Sequence, residues 1–298
     1  MIESPIYRQM SKAALKPALA WNVAPSFVGD PLLQDRSTVE TFLARLLFST
    51  RVATPCPVPV AIEHSILGDA QRIRPILALR IARMLGVETE HSLRAAAAVE
   101  VLHSASLIVD DLPCMDNELM RRGRPALHIQ FGEPTALLAA FSMVALAARM
   151  VVEIPATDRE YTRLRRFQLA LLHTLDCTSL IGGQSLDLAL EGTRRDEMRE
   201  TVNDLKTVPL FQLSVEAGCV SHPFGVPQEL ADFGRHFGLA FQLTDDYLDG
   251  ELQDRSTLAD QYETCCACLH PYGSHADPLH ELVQYLAHRA AQQNHSHR

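Results

Sequence analysis

The chain has 298 residues, of which 47% are hydrophobic and 21% are charged. This balance is typical of a globular protein that buries a large core, and it argues against a largely disordered chain. The formal net charge is −9, from 27 Lys and Arg against 36 Asp and Glu. Because a negative protein repels the phosphate backbone, we expect no nucleic acid among its partners and regard cations as more natural ones.

The cysteines and the first residues bear on cellular location. The seven cysteines are an odd number scattered over a large chain, which is unlike the disulfide framework of a secreted protein. The start, Met1 to Pro5, lacks the basic and apolar regions of a secretory signal. We therefore predict a reduced, cytoplasmic protein.

Residues 1 to about 38 contain four prolines and no sustained hydrophobic period. They predict an N-terminal arm, partly disordered, followed by a single domain over residues 39–298. That domain opens with apolar residues at helical spacing over 39–49. This spacing predicts a short amphipathic helix before a proline-rich break at 55–59.

Long Ala- and Leu-rich segments then fill most of the domain, separated by short breaks that contain Gly and Pro. No segment alternates apolar and polar residues long enough to predict a sheet, so the expected fold class is all-α. The stretch 136–154 approaches the length of a membrane span, but Arg149 and Glu153 favour a buried bundle helix and no stable membrane insertion. The predicted helices cover 60–85, 91–112, 133–153, 159–190, 195–220 and 227–250.

The chain changes character after about residue 254, where we predict an atypical C-terminal tail. A last amphipathic helix is predicted around 279–291. The tail also carries Cys265, Cys266, Cys268, His270 and His275. These residues raise the alternative of a zinc module, but adjacent cysteines lack the usual Cys-x-x-Cys geometry.

The first of two acidic clusters consists of Asp110, Asp111 and Asp116, and it follows an apolar helical run. Asp116 comes six residues after Asp110 and would point elsewhere on an ideal helix. Pro113 removes one backbone hydrogen bond of a helix, so we expect a local distortion that brings Asp116 back beside Asp110.

The second cluster consists of Asp245, Asp246 and Asp249. Asp245 and Asp249 are four residues apart, so they lie on one helical face and can hold one ion. An acidic pair alone is usually a solvated surface feature. Two such clusters on otherwise apolar helices call for a cation, and magnesium prefers carboxylates together with substrate phosphates. The two clusters therefore predict a diphosphate held through bridging magnesium ions.

A polyphosphate also needs basic side chains, and three points along the chain offer them. They are Arg72 with Arg74, Arg121 with Arg122, and Lys206 beside Thr207. Taken singly, each of these is more often a surface charge than a phosphate ligand.

At this point the residues resemble the trans-isoprenyl diphosphate synthase (polyprenyl synthetase) family, especially its geranylgeranyl and bacterial-type farnesyl diphosphate synthase branches. The resemblance covers about residues 68–250, with motifs in family order and family-like spacing. It rests on the segments 103–117, 121–128, 182–188, 206–211 and 241–249.

The resemblance implies an isoprenoid synthase helical bundle around a central cavity, homodimeric, with three magnesium ions per active site. Its substrates would be isopentenyl diphosphate and an allylic prenyl diphosphate. Carried over by position, the metal ligands would be Asp110, Asp111, Asp116, Asp245, Asp246 and Asp249. Arg121, Lys206, Thr207 and Gln242 would hold the allylic diphosphate, and Gln71, Arg74, His103 and Arg122 would lie at the isopentenyl diphosphate.

The chemistry implied is metal-assisted ionisation of the allylic diphosphate, followed by attack of isopentenyl diphosphate on the allylic cation. Product length would depend on side chains that precede the first cluster. Ala105 and Ser106 are both small, which favours a C20 product, geranylgeranyl diphosphate. Leu102, Phe141 or Met143 remain alternatives for a floor deeper in the tunnel.

Two departures from the family pattern leave alternatives open. Gln71 stands where the family usually carries a lysine, and residues 250–254 contain no lysine where the family usually has some. One alternative is a non-catalytic partner subunit of a prenyl diphosphate synthase. Another is a class I terpene cyclase, although its second metal motif normally mixes Asn, Ser or Thr with Glu.

Overall fold

The computed structural model describes residues 27, 29–49, 56–190, 193–252 and 254–296. Most of the predicted N-terminal arm lies outside these residues. The first described helix begins at Leu33, before the predicted end of the arm, so part of that arm is a helix packed on the bundle.

Within the described residues the chain forms thirteen α-helices, a 3₁₀ helix and one short β-hairpin, in agreement with the predicted all-α class. The helices are α1 (Leu33–Ser49), α2 (Pro57–Ile66), α3 (Ile73–Met84), α4 (Glu90–Asp110), α5 (Leu127–Phe131), α6 (Glu133–Val152), α7 (Asp158–Thr174), α8 (Leu180–Ala189), α9 (Thr193–Lys206), α10 (Val208–Gly218), α11 (Gln228–Leu248), α12 (Arg255–Cys268) and α13 (Asp277–Ser296), with the 3₁₀ helix His270–Ala276 between the last two.

Three segments predicted as single helices are in fact broken, and each break has a local cause. Between α2 and α3 the backbone of Arg72 is left-handed, with φ of 56°, which ends helical continuity. Between α7 and α8 the chain folds back so closely that a Cβ on Gly182 would overlap the carbonyl oxygen of Cys177. Between α9 and α10, Pro209 cannot donate to the backbone ladder.

The hairpin is the one departure from all-α structure in the described residues. Strands β1 (Met120–Arg121) and β2 (Arg124–Pro125) pair antiparallel, with Met120 opposite Pro125. Arg122 and Gly123 form the turn, with φ of 53° and 71°. Strands of two residues are too short to show an alternation of apolar and polar residues, so they could not be predicted from the hydrophobic pattern.

The larger core forms where α4 and α6 pack against each other. A run of alanines on α4, residues 95–98, is fully buried and lets the neighbouring helix approach closely. Both helices are long and apolar enough to cross a membrane by length and composition alone. One face of α6 carries Met143 into the core, while its opposite face exposes Leu138 and Phe141.

A second core joins α10, α11, α12 and α13, so the segment after residue 254 packs on the bundle. Phe211, Phe233 and Phe237 fill its centre. The buried guanidinium of Arg80 on α3 also reaches Glu281 on α13 over 2.7 Å and Asp35 on α1 over 2.8 Å. Arg80 on α3 thus forms ion pairs with helices near both ends of the described chain.

Candidate active site at the mouth of the bundle

The first acidic cluster lies where α4 ends. Asp110 is the last residue of that helix and Asp111 caps it, so Pro113 follows the helix rather than kinking it. Asp116 nevertheless returns to Asp110, because its backbone N–H donates to the Asp110 carbonyl oxygen over 2.9 Å. The predicted grouping is confirmed, whereas the proposed cause, a proline kink within the helix, is wrong.

The carboxylates of this cluster are partly withdrawn from water. Burial raises the pKa of Asp110 to about 6, and the neighbouring Asp116 and Asp111 add to this rise while Lys206 opposes it. Burial also raises the pKa of Asp111, against the effect of Arg121, whose Nε donates to the Asp111 carboxylate over 2.9 Å. Such a cluster favours a bound cation.

The second cluster lies at the end of α11. The Asp249 backbone N–H donates to the Asp245 carbonyl oxygen over 2.9 Å, so these residues are one helical turn apart as predicted. The Asp245 carboxylate accepts a hydrogen bond of 2.9 Å from Arg289 on α13. The Asp246 carboxylate accepts one of 2.7 Å from the Gln242 amide. Burial raises the pKa of both Asp245 and Asp246.

Two consecutive residues connect the clusters. The Lys206 ammonium lies 4.0 Å from Asp116 of the first cluster. The Thr207 hydroxyl donates to Gln242 over 2.9 Å, and Gln242 in turn bonds Asp246 of the second cluster. The junction between α9 and α10 therefore brings both acidic groups to one mouth, with a cation and a hydroxyl between them.

The α8 helix supports this junction through its glycines. A Cβ on Gly183 would come within 2.7 Å of the Lys206 backbone nitrogen, so only glycine allows α9 to approach. Asp187 on the same helix accepts a bond of 3.1 Å from the Lys206 ammonium. The side-chain amide of Gln184 is buried, and neither of its polar atoms has a hydrogen-bond partner among the described residues.

A basic and aromatic group lies beside the second cluster. The Arg74 guanidinium packs on the ring of Phe211 at 4.6 Å and on that of Phe241 at 5.5 Å, measured to the ring centroids. The Arg289 guanidinium lies 5.6 Å from the Phe241 centroid. Burial lowers the pKa of Arg74 to about 10, which leaves it charged at neutral pH.

The His103 ring forms a hydrogen bond with the Arg74 side chain of this group. Burial and the nearby arginines hold the pKa of His103 well below its usual value, so its ring is neutral. The Nε2 atom lies 3.2 Å from an Arg74 nitrogen, and arginine can only donate, which makes Nε2 the acceptor. The ring proton is therefore on Nδ1, a buried atom without a hydrogen-bond partner in the described part of the chain.

Arg122 and Gln71, which were also predicted to bind isopentenyl diphosphate, have surroundings that differ from those of Arg74 and His103. Arg122 bonds the buried carboxylate of Glu100 over 3.1 Å and the Ser104 hydroxyl over 3.1 Å. Glu100 also accepts from Arg72 over 2.6 Å, so one carboxylate holds both arginines. The side-chain oxygen of Gln71 is buried and has no hydrogen-bond partner among the residues described.

The chemistry of the donor set fits magnesium, since carboxylate oxygens from both clusters are desolvated and close to the mouth. Among the described residues, however, no three Asp, Glu, His or Cys side chains form a ready-made metal site. Asp111 and Asp245 are paired with arginines instead. Binding of a divalent cation would therefore displace these basic side chains from the carboxylates.

The cysteines of α12 do not gather around one point. Cys265 is fully buried in the second core, whereas the Cys266 sulfur lies 3.3 Å from His280 Nδ1. Burial raises the pKa of Cys266 to about 12, so its thiol is protonated at neutral pH. These contacts assign Cys265 and Cys266 to packing.

Comparison with known proteins gives the family. The family model described as polyprenyl synthetase matches residues 58–290, which includes both acidic clusters and most of α13. The chain belongs to the polyprenyl synthetase family. The family resemblance that the motifs indicated is thereby confirmed, and the match extends through the segment that we predicted to be an atypical tail.

Relatives in this family include both geranylgeranyl and farnesyl synthases. Geranylgeranyl pyrophosphate synthase 10, mitochondrial, of Arabidopsis thaliana is 36% identical over 197 residues, which are 63% of this chain and 56% of that protein. Farnesyl diphosphate synthase of Geobacillus stearothermophilus is 36% identical over 225 residues, 74% of each chain. This chain thus spans little more than half the length of the plant protein.

The same architecture is found in a solved structure, the geranyltransferase from Legionella pneumophila. The two folds superpose with a TM-score of 0.76 at 30% sequence identity, over 87% of this chain and 96% of that one. The fold of this polyprenyl synthetase family member is therefore the isoprenoid synthase bundle that the resemblance implied.

Residues at or beside the mouth that were not predicted from the sequence as members of the site include Glu100, Gln184, Asp187 and Arg289. Gln184 and Asp187 stand in a motif that carried the resemblance, so a signal was present for them. No sequence signal marks Glu100 or Arg289 as site residues, because a lone charge on an amphipathic helix normally faces the solvent.

Proposed function

We propose that this protein is a magnesium-dependent trans-prenyltransferase that condenses isopentenyl diphosphate with an allylic diphosphate. The observation that carries the proposal is the junction of Lys206 and Thr207, which joins the two acidic clusters at one mouth. A group with negative charge, such as a diphosphate, bound there would meet a cation, a hydroxyl and carboxylates from two helices. Similarity to synthases named for geranylgeranyl and farnesyl diphosphate supports the same reaction.

The allylic diphosphate would bind between the clusters. Asp110, Asp111 and Asp116 on one side, and Asp245, Asp246 and Asp249 on the other, would hold magnesium ions. The Arg121 guanidinium, now on Asp111, would turn to the phosphate oxygens as a charge-assisted donor. Lys206 and Thr207 would contact the same diphosphate from the α9–α10 junction, and Gln242 would orient Thr207.

Isopentenyl diphosphate would bind at the basic and aromatic group beside the second cluster. Arg74 is buried and charged, and the neighbouring His103 ring has a buried Nδ1 that lacks a hydrogen-bond partner among the described residues. Gln71 contributes no charge, but Arg289 does, and one of its terminal nitrogens is buried without a hydrogen-bond partner in the described chain. Arg289 would therefore supply a cation that Gln71 cannot.

The reaction requires that the allylic C1–O bond break, that the isopentenyl double bond attack C1, and that a proton leave the resulting tertiary cation. Magnesium, when bound, supplies Lewis-acid stabilisation of the charge that develops on the departing diphosphate. Arg121 and Lys206 stabilise the same charge, because they lie at the mouth where it forms. The departing pyrophosphate oxygen can take the proton, so His103 need not act as a base.

We also propose geranylgeranyl diphosphate, a C20 product, because small residues line the helix below the first cluster. Ala105 is buried toward the core, and Ser106 is half-buried on the adjacent face of α4. Of the alternatives for a deeper floor, Phe141 is 72% exposed on the outer face of α6, so it does not lie in the interior of this chain. Leu102 and Met143 are fully buried and stay candidates.

A homodimer is the assembly that we propose, since α6 leaves Leu137, Leu138 and Phe141 exposed along one face. An apolar helical face of this kind is typical of a surface that is covered in the assembled protein. Sedimentation or light scattering should show twice the mass of the chain. A stable monomer at assay concentrations would contradict this part of the proposal.

The test of the proposed reaction is pyrophosphate release on mixing the protein with magnesium, isopentenyl diphosphate and an allylic primer. Asp110→Asn and Asp245→Asn should each lower the rate by about a hundredfold or more, because each removes a carboxylate charge from one cluster. Asp260→Asn is the matched control, since Asp260 is exposed on α12. Equal rates for all three variants would refute the roles of the clusters.

A further inference from the structure

Helix α9 carries two cations on one face. Arg199 and Lys206 are seven residues apart, which is close to two helical turns and about 10 Å along the axis. Both side chains are partly exposed, at 43% for Arg199 and 27% for Lys206. The face that they share is the one that α9 turns to the mouth.

Each of these cations lies beside one acidic cluster. Lys206 Nζ is 4.0 Å from Asp116 Oδ2 of the first cluster, and Arg199 is 4.0 Å from Asp246 Oδ2 of the second. A single helix thus spans the mouth with one positive group at each side. Lys206 already has a place in the proposed diphosphate site, whereas Arg199 has none.

The second cluster takes its cations from outside its own segment, Arg289 at Asp245 being one of them. Residues 250–254, which follow Asp249, contain no Lys or Arg, and Glu251 adds a further negative charge. Arg199 contacts this segment, with a distance of 3.0 Å to Glu251 Oε2. Since Arg199 is 43% exposed and Glu251 is 55% exposed, water screens this ion pair, and its contribution to stability is small.

We propose that Arg199 is a further substrate-binding residue, which contacts the diphosphate of the allylic substrate on the side of the second cluster. This inference rests on the proposed function. The planar guanidinium offers a fork of N–H donors that matches phosphate oxygens, and its position complements that of Lys206. Arg199 thereby provides the positive charge that residues 250–254 lack.

The test compares Arg199→Gln with two matched variants. Arg235→Gln removes an arginine of similar exposure, 45%, that pairs with Asp204 between the same two helices, α9 and α11. Glu251→Gln removes the charge of one partner of Arg199 and leaves the arginine in place. The readouts are calorimetric binding of inorganic pyrophosphate with magnesium, and the KM for each of the two substrates.

Arg199→Gln should weaken pyrophosphate binding and raise the KM for the allylic diphosphate by about tenfold each, the effect of one lost charge-assisted contact. The KM for isopentenyl diphosphate should stay within about twofold, and Arg235→Gln should change neither value. Glu251→Gln should bind pyrophosphate as tightly as the parent chain or more tightly, because a negative charge has been removed.

Equal losses in Arg199→Gln and Glu251→Gln would mean that the pair is only structural, and unchanged pyrophosphate binding in Arg199→Gln would also overturn the inference. The binding measurement does not require turnover. If the parent chain binds pyrophosphate but elongates no primer, the proposed function fails while the role of Arg199 in diphosphate binding is still decided.

Discussion

The backbone N–H of Asp116 donates to the carbonyl oxygen of Asp110 over 2.9 Å, and this bond closes the first acidic cluster on itself. Its consequence is electrostatic, because the charge of Asp116 adds to the burial that raises the pKa of Asp110 to about 6. Close packing of carboxylates costs stability in the absence of a cation. The grouped carboxylates therefore lower the stability of the metal-free fold.

This cost predicts a pH-dependent effect of Asp110→Asn on the metal-free protein. Between about pH 4 and pH 6 the folded chain keeps a proton on Asp110 that the unfolded chain has released, so stability falls as pH rises through that window. Above it, the variant should be more stable than the parent by about 1 to 3 kcal/mol. Urea unfolding of both proteins near neutral pH and near about pH 4 measures this difference in stability. A stability gain of the variant that is as large near about pH 4 as near neutral pH would contradict the prediction.

A second prediction concerns Glu100, which is 2% exposed and accepts hydrogen bonds from Arg72 and Arg122. Glu100→Gln keeps the shape but removes the buried counter-charge that Arg72 and Arg122 share, which leaves, among the described residues, only Glu40 at 3.7 Å from Arg72. We expect a loss of about 3 to 5 kcal/mol in the free energy of unfolding. Glu90→Gln, at an exposed ion pair on the same helix, should lose less than about 1 kcal/mol. Equal losses would show that the buried network contributes little.

Glycine at position 183 is predicted to matter for substrate binding as well as stability. Gly183→Ala places a Cβ against the backbone of Leu205 and Lys206, so α9 must move outward and take Lys206 with it. We expect a higher KM for the allylic diphosphate and a lower melting temperature. The Cβ of the control variant Gly218→Ala would contact Ala78 and Ile81 in the core instead. This variant should therefore lower the melting temperature while leaving the KM for the allylic diphosphate unchanged. A KM that rises equally in both variants would contradict the account of α8.

Ala105 is the position at which an aromatic side chain should shorten the product. Ala105→Phe adds a ring where α4 faces the interior, so the growing prenyl tail would stop at least one C5 unit earlier. The added volume should also cost about 1 to 3 kcal/mol in stability. Ala105→Gly is the companion variant, which opens the same position and should keep the C20 product. An unchanged product from Ala105→Phe would locate the floor elsewhere, with Leu102 and Met143 as the next positions to vary.

The fold class and the two acidic clusters could be predicted from the sequence, because helical period and carboxylate spacing are local properties. The breaks within long apolar segments could not. Arg72 has a left-handed backbone and pairs with the buried Glu100, which is distant in sequence, and the chain folds back on itself where Gly182 meets Cys177; neither feature produces a periodic signal. The packing of the last part of the chain could not be predicted either, since Cys265 is buried in the second core and Cys266 and Cys268 pack against it, whereas His270 and His275 are exposed.

The residues of the candidate site also divide into those that sequence motifs predict and those that they do not. Asp110, Asp245 and Lys206 stand in motifs, so their meeting at one mouth was expected. Arg289 and Arg199 stand in no motif, and each reaches the second cluster from a helix of its own. Charge complementarity between distant helices depends on the packing of the whole bundle, and a single sequence does not display it.

The central claim is tested most directly by product analysis of the purified protein with magnesium, isopentenyl diphosphate and each allylic primer from C5 to C15. We predict pyrophosphate release together with a longer prenyl diphosphate, ending at C20. The absence of an elongated product from every primer, in protein that is folded and binds magnesium pyrophosphate, would contradict chain elongation.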